Sequence, residues 1–290
     1  MIRLALLGDH TEVGAHLRLS SRLREASLTS IAEIKELDSD AFDAAVVCSK
    51  SALEDNCRFA VTHGKHVLAS TLPASSTEAP TLMHVCQTQG VRLMVGFSDR
   101  FLPSVQAIKQ SLDSGQLGDP GLIRIHRWYS NFPAADPLPD IDLAIWMFQA
   151  KPTEVYAVAR RASNDHVDYL QIHLGFPAGG MGLIDVSDTL SAANSYFSLS
   201  LIGSSGAAHA DDHHNQQLLF RGEQPVALKT GDGDAARLAQ LQEFVDAINE
   251  NREPAVTGAD AQAASHVCKA AWQSIKCGGT VRLSGEHYEC

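Results

Sequence analysis

The sequence predicts an α/β protein in two parts. The first is a shortened, doubly wound parallel sheet, and the second is an α+β part on a large, mainly antiparallel open sheet. Three observations predict it. Over about the first hundred residues, short apolar runs alternate with helix-period segments, the pattern of strands joined by helical crossovers. After about residue 120 the hydrophobic period changes to two, with Gly, Asn, Asp and Pro between the runs. At 290 residues and 44% hydrophobic content, the chain can bury more than one sizeable core.

Taken in order, IRLALL (2–7) is a short apolar strand. VGAHLRLSSRLREA (13–26) is helix-like, with Val13, Leu17 and Leu23 among its apolar positions. FDAAVV (42–47) reads as a buried strand, followed by a helix over 51–64 that Gly64 closes. KHVLAS (65–70) is a third strand, 78–90 a helix ending at Gly90, and VRLMVGF (91–97) a fourth strand. LIRIHRWYS, EVYAVARRAS, DYLQIHLGF, MGLIDVSD and SYFSLSLIG then alternate as half-buried strands, and QQLLFRG with PVALKTG forms a hairpin. Two helices close the chain. The first, at 235–251, has the stripe Leu238, Leu241, Val245 and Ile248, and the second, at 260–279, stops at paired glycines. The expected division is 1–118 and 119–290, with the last helix able to pack back on the first part.

A net charge of -11 and the lack of a basic cluster exclude nucleic acid and anionic membrane surfaces as partners. The apolar runs are strand-length, so no bilayer span is expected, nor a signal peptide. The six cysteines (48, 57, 86, 268, 277 and 290) form no short pair, so free thiols, no zinc site and a cytoplasmic location are expected.

The first strand runs into LLGDHTEVG (6–14), where a phosphate cradle belongs. Gly8 fills the role of the first glycine, His10 replaces the second, and Val13 takes the third position with Gly14 just beyond. A β-carbon and an imidazole at position 10 would crowd a pyrophosphate.

Farther on, VGFSDRFLPSVQAIKQSLDSGQLGDPGLIRIHRW (95–128) resembles the linker region of the glucose–fructose oxidoreductase and inositol 2-dehydrogenase (Gfo/Idh/MocA) family. GKHVL (64–68), DIDLAIWMFQAKPTEVYA (140–157) and the C-terminal helices over 243–283 are similar to that family too, in the same order. The resemblance implies a Rossmann domain for NAD or NADP, and a sheet domain that closes over a sugar- or polyol-like ligand. It also implies a homodimer or homotetramer formed through the exposed face of that sheet. By position, cofactor contacts fall on Gly8, His10, Val13, Glu33, Ser49 and Ser70, and substrate contacts on Arg100, His126 and Trp128.

The chemistry implied is hydride transfer coupled to proton transfer, and the proton needs a positioned acid or base. Here the chain departs from the family. Ser70 and Thr71 stand in HVLASTLP where the family has glutamate and lysine, and Ala135 and Pro139 where it has aspartate and histidine. Thr71, Asp136 and Asp140 are the remaining catalytic candidates, Asp136 lying one residue out of register. Asp142 suits a helix cap as well as a cleft group. The segment between the first helix and FDAAVV is about one strand–helix unit short of the family pattern. Within it, Glu33 reads equally as a ribose-binding acid or as part of the next strand and helix. Cys48 and Ser49 replace a threonine–proline pair that lies beside the nicotinamide in the family. Arg100 either meets a ligand or ties the structure together, and His126 with Trp128 either faces the cleft or packs in the sheet. In HADDHHNQ, His209, His213 and His214 beside Asp211 and Asp212 read as a solvated strand end rather than a metal site. Two functions follow: an oxidoreductase-family protein that binds a small polar ligand with NAD(P), or a non-catalytic ligand-sensing or partner-binding protein on the same fold.

Overall fold

A computed structural model describes residues 1–31, 39–48, 53–71, 78–130, 136–161, 167–190, 196–211, 216–220, 225–229, 233–284 and 287–290. The chain divides into two units, one of Met1–Phe101 with Gly233–Gln262, the other of Leu102–Asp232 with Ala263–Cys290.

In the first unit, β1 (Ile2–Leu7), β2 (Ala26–Ser30), β3 (Ala44–Val47), β4 (His66–Ala69) and β5 (Leu93–Val95) form a five-stranded sheet ordered β2-β1-β3-β4-β5. Every pairing in it is parallel. Leu4, Leu6, Ala44, Ala45 and Val67 are almost fully buried, as expected for strands covered on both faces. The helices are α1 (His10–Leu17), α2 (Leu53–Thr62), α3 (Glu78–Gln89) and α6 (Gly233–Asn249). The helical segment expected over 13–26 is therefore shorter and earlier, and its tail, from Ala26, is strand β2. Gly64 ends the α2 turn at φ 69, a conformation that side chains resist. Beyond α6 the chain runs beside β5, where Val95 N donates to Val256 O at 3.1 Å.

The second unit carries α4 (Pro103–Asp113), β6 (Pro120–Ser130), α5 (Leu138–Phe148), β7 (Glu154–Arg161), β8 (Val167–Gly175), β9 (Met181–Leu190) and β10 (Tyr196–Gly203). It continues with β11 (Ala207–Asp211), β12 (Gln216–Phe220), β13 (Pro225–Lys229), most of α7 (Gly258–Cys277), β14 (Val281–Ser284) and β15 (His287–Glu289). Its ten-stranded sheet is ordered β13-β12-β11-β10-β6-β9-β8-β7-β14-β15, antiparallel except where β6 meets β9. The pleat sorts residues by face. Ile123, Ile125, Ile172, Ile184, Leu199 and Leu201 are 0% exposed on the face that α5 covers over β6 and β9. On the other face Trp128, Tyr156, Val158, Tyr169, Met181 and Ile202 are exposed.

The expectation of six free thiols is corrected at the C-terminus. Cys277 and Cys290 form a disulfide with Cα atoms 6.6 Å apart. The β14–β15 hairpin turns the last residue back toward the end of α7, a return that spacing alone does not reveal. Cys57, Cys86 and Cys268 are free, and burial pushes each thiol up to about 12. Among the described residues, no helix is long and apolar enough to cross a membrane, and no cluster of three or more His, Cys, Asp or Glu is placed to hold a metal. Residues 212–215, including His213 and His214, lie outside the described residues.

Candidate functional site at the strand ends of the first unit

With β1 between β2 and β3, the order of connections reverses between β1 and β3. In open parallel sheets ligands settle at such a reversal, at the carboxyl ends of the strands. A cleft of about 110 Å³ lies there, and residues after β3, β4 and β5 line it together with α1 and α6. Cys48 follows β3, Ser70 follows β4, and Gly96 and Ser98 follow β5, while Glu12 and His16 come from α1 and Arg237 and Gln240 from α6. At this volume the cleft suits a single ring or a small polyol, since pockets for larger ligands run to about 300–1,000 Å³.

Two polar atoms in its lining lack partners. Ser70 Oγ and Gln240 Nε2 are buried and make no hydrogen bond among the described residues. Gln240 is 5% exposed, and leaving such an amide unpaired costs about 1–3 kcal/mol. Gly96 makes the close approach that shapes this wall. A β-carbon there would lie 2.9 Å from Ser70 Cα, which backbone atoms cannot yield. His16 Nδ1 lies 2.8 Å from Glu12 O, and burial pushes the imidazole below its ordinary value. Cys48 Sγ lies 3.7 Å from His16 Nδ1, and burial pushes its thiol up to about 12. Both groups are therefore neutral near pH 7, and the thiol is not an activated nucleophile. Glu12 and Arg237 pair at 3.8 Å. The lining is thus neutral or internally paired.

The turn after β1 differs from the expected cradle in one decisive way. Asp9 is the N-cap of α1, and its Oδ1 accepts from Thr11 N and Glu12 N, both at 3.0 Å. Amides that would face a phosphate are bonded to the chain's own carboxylate. Gly8 and His10 are exposed, with His10 the first helical residue, and Val13 is buried against the unit's core. Ser70 is in the cleft lining and Thr71 is half-buried just beyond it. Glu33 and Ser49 lie outside the described residues, as does Ala135.

The other candidates are not gathered there. Arg100 is 3% exposed, and its guanidinium donates to Ala255 O and Asp260 Oδ1, both at 3.2 Å. Of the two alternatives for Arg100, these bonds belong to the structural one: they tie the turn after β5 to the start of α7. In the second unit, Asp140 is fully buried. Arg127 Nε reaches its two carboxylate oxygens at 2.9 and 3.0 Å, and Nη2 reaches Oδ1 at 2.6 Å. A carboxylate held on both oxygens is an interior anchor, which corrects the expectation of a free acid or base. Asp136 Oδ1 accepts from Leu138 N at 3.1 Å, at the start of α5. Pro139, in the slot of the family's histidine, lies in the first turn of α5, where its missing N–H costs nothing. Asp142 is buried inside α5 and so does not cap it.

His126 and Trp128 share a strand face, as their alternation requires, and it is the face opposite Arg127. His126 Nδ1 lies 3.1 Å from Asp185 Oδ2, and Trp128 packs on Tyr196 with centroids 4.7 Å apart. They are thus separated by the sheet from Arg127 and Asp140. Sequence reasoning missed Asp9, Arg127 and Gln240. The first two left a signal. Asp9 and Glu12 have the spacing of a capping box, and Arg127 falls on the inward register of Ile123 and Ile125.

Comparison with known proteins accords with this architecture. The profile described as "Oxidoreductase family, C-terminal alpha/beta domain" matches residues 139–283. An uncharacterized oxidoreductase, YrbE, of Bacillus subtilis is 25% identical over 284 residues, covering 85% of this chain and 79% of its own. A myo-inositol 2-dehydrogenase of Thermotoga maritima is 24% identical, with 83% of this chain and 80% of its own covered. In fold, the chain is similar to an oxidoreductase from Agrobacterium radiobacter, solved with NAD+, L-tartaric acid and magnesium. The TM-score is 0.84 at 16% identity, with 97% of this chain and 98% of that one covered. The chain belongs to the Gfo/Idh/MocA oxidoreductase family.

Proposed function

We propose that this chain binds a small sugar- or polyol-like ligand, with NAD or NADP as its cofactor, without the family's standard proton transfer. The observation that carries the reading is that Ser70 and Gln240 both line the strand-end cleft, and that Ser70 Oγ and Gln240 Nε2 are buried and unpartnered among the described residues. A hydroxyl donates or accepts and an amide nitrogen donates, so a carboxamide or a pair of ligand hydroxyls would satisfy both. The nicotinamide ring fits this cleft in size and polarity. When bound, it would supply the site of hydride gain or loss. This chain's residues would hold its polar edge and, through the buried strand ends, exclude water. A myo-inositol dehydrogenase among the relatives and a bound NAD+ in a protein of the same fold favour this ligand class.

A second reading, a non-catalytic sensor or partner-binding protein, is favoured by the residues at the family's proton-transfer positions. Thr71 is a poor proton carrier near neutral pH, and Pro139 has no titratable group. Under either reading we propose a homo-oligomer formed by the open face of the second unit's sheet. Trp128, Tyr156, Val158, Tyr169, Met181 and Ile202 make that face an apolar surface suited to a second copy.

Calorimetric titration with NADH and NADPH tests ligand binding, and a screen of myo-inositol and simple aldoses with the oxidised cofactors tests turnover. Saturable binding below millimolar cofactor is expected, with no turnover near the enzyme median of about 10 s⁻¹. Absence of binding by either cofactor would overturn the cofactor assignment. Turnover at ordinary rates would overturn the loss of proton transfer.

A further inference from the structure

We infer that Asp9 is a built-in competitor for the cofactor's pyrophosphate and so determines which ligands the first unit accepts. The inference rests on the reading that the strand-end cleft takes a nicotinamide ring. In a dinucleotide site of this fold the pyrophosphate lies against the first-turn amides of the helix after β1. Here those amides are engaged, with Thr11 N and Glu12 N each donating to Asp9 Oδ1 at 3.0 Å. A phosphate arriving there must displace a carboxylate or lie beside it, and Glu12 adds a second carboxylate in the same turn. The nearest positive group on the facing helix, Arg237, is shared between Glu12 at 3.8 Å and Asp234 at 3.6 Å. The strand-end cleft has the opposite character: its unpartnered groups, Ser70 Oγ and Gln240 Nε2, are neutral.

The first unit thus favours a neutral polar group at the ends of β3, β4 and β5, and disfavours, without excluding, a phosphate at α1. Ligands that carry the ring without a phosphate escape the penalty that Asp9 imposes on the whole cofactor. Serine caps a helix as well as aspartate does but without the charge, so Asp9→Ser separates repulsion from capping.

The test compares NADH with dihydronicotinamide riboside, which lacks phosphate, on the wild-type chain, Asp9→Ser and Asp9→Asn. Circular dichroism checks that each variant is folded. NADH should bind both variants at least about tenfold more tightly than wild type, while the riboside stays within about twofold. Added salt should tighten NADH binding to the wild type, by screening the repulsion, and weaken it in the variants. If the riboside binds all three and NADH gains nothing, Asp9 is a cap and no more, and the inference is overturned while the cleft reading stands. If neither compound binds any of the three, both are overturned.

Discussion

The strand-end cleft of the first unit and the α5 region of the second treat buried polar groups in opposite ways. In the cleft, Ser70 Oγ and Gln240 Nε2 are buried with no hydrogen-bond partner among the described residues. Around α5, the buried Asp140 is bonded on both oxygens by Arg127, whose guanidinium also lies 4.5 Å from the Phe197 ring. Two carboxyl candidates of the second unit have become scaffold: Asp140 anchors β6 to α5, and Asp136 receives an amide at the helix start. Satisfied groups maintain a fold, and unsatisfied ones keep a place for something else.

The contrast is broken most severely at Arg127. Arg127→Ala takes the guanidinium from the buried Asp140 carboxylate, and urea unfolding should show a loss of about 3–5 kcal/mol. Replacing both partners, Arg127→Met with Asp140→Leu, should restore most of it. If the single variant is as stable as wild type, the Arg127–Asp140 pair does not anchor the interior.

On the open face of the same strand, Trp128→Asp with Tyr169→Asp places charge in the apolar surface. Light scattering should then find a monomer where the proposed wild-type assembly is a dimer or tetramer. A wild-type monomer would refute the proposed self-association.

A smaller effect is expected in the cleft. Gln240→Leu removes an unpaired amide, so melting should show unchanged or higher stability, by up to the about 1–3 kcal/mol that the unpaired group costs. A clear loss of stability would mean the amide has a structural partner.

The smallest effect is pH dependence. Burial pushes His16 and His66 below their ordinary value of 6.5, so the folded chain binds fewer protons than the unfolded one just below that pH. Stability should therefore fall as pH drops through 6.5, flattening below the folded values, and His16→Gln should reduce the slope. A slope of the opposite sign would contradict the burial of both rings.

Much of this architecture was legible in the sequence because burial leaves a pattern there. Leu4 to Leu7 and Ala44 to Val47 are continuous apolar runs, and Ile123 and Ile125 alternate with exposed residues. The short strands β11, β14 and β15 carry no such run, since AAHAD, VRLS and HYE are only three to five residues long, break their apolar residues with polar ones, and owe their form to neighbouring strands. The candidate site was less legible. Ser70 is visible by position, but that its hydroxyl has no partner depends on which groups approach it in space. Gln240, on a helix far along the chain, has no local signal at all. The Asp9 and Glu12 spacing is local, yet a glycine pattern for phosphate and a carboxylate cap occupy the same turn.

Under the proposed function, Ser70 Oγ and Gln240 Nε2 together mark the ligand's place. That claim is tested most directly by titrating NADH, monitored by its fluorescence, into wild type, Ser70→Ala and Gln240→Leu. Each variant should bind about five- to tenfold more weakly while melting no lower than wild type, the loss of one hydrogen bond apiece. Affinity unchanged in both variants would contradict the claim and place the ligand elsewhere.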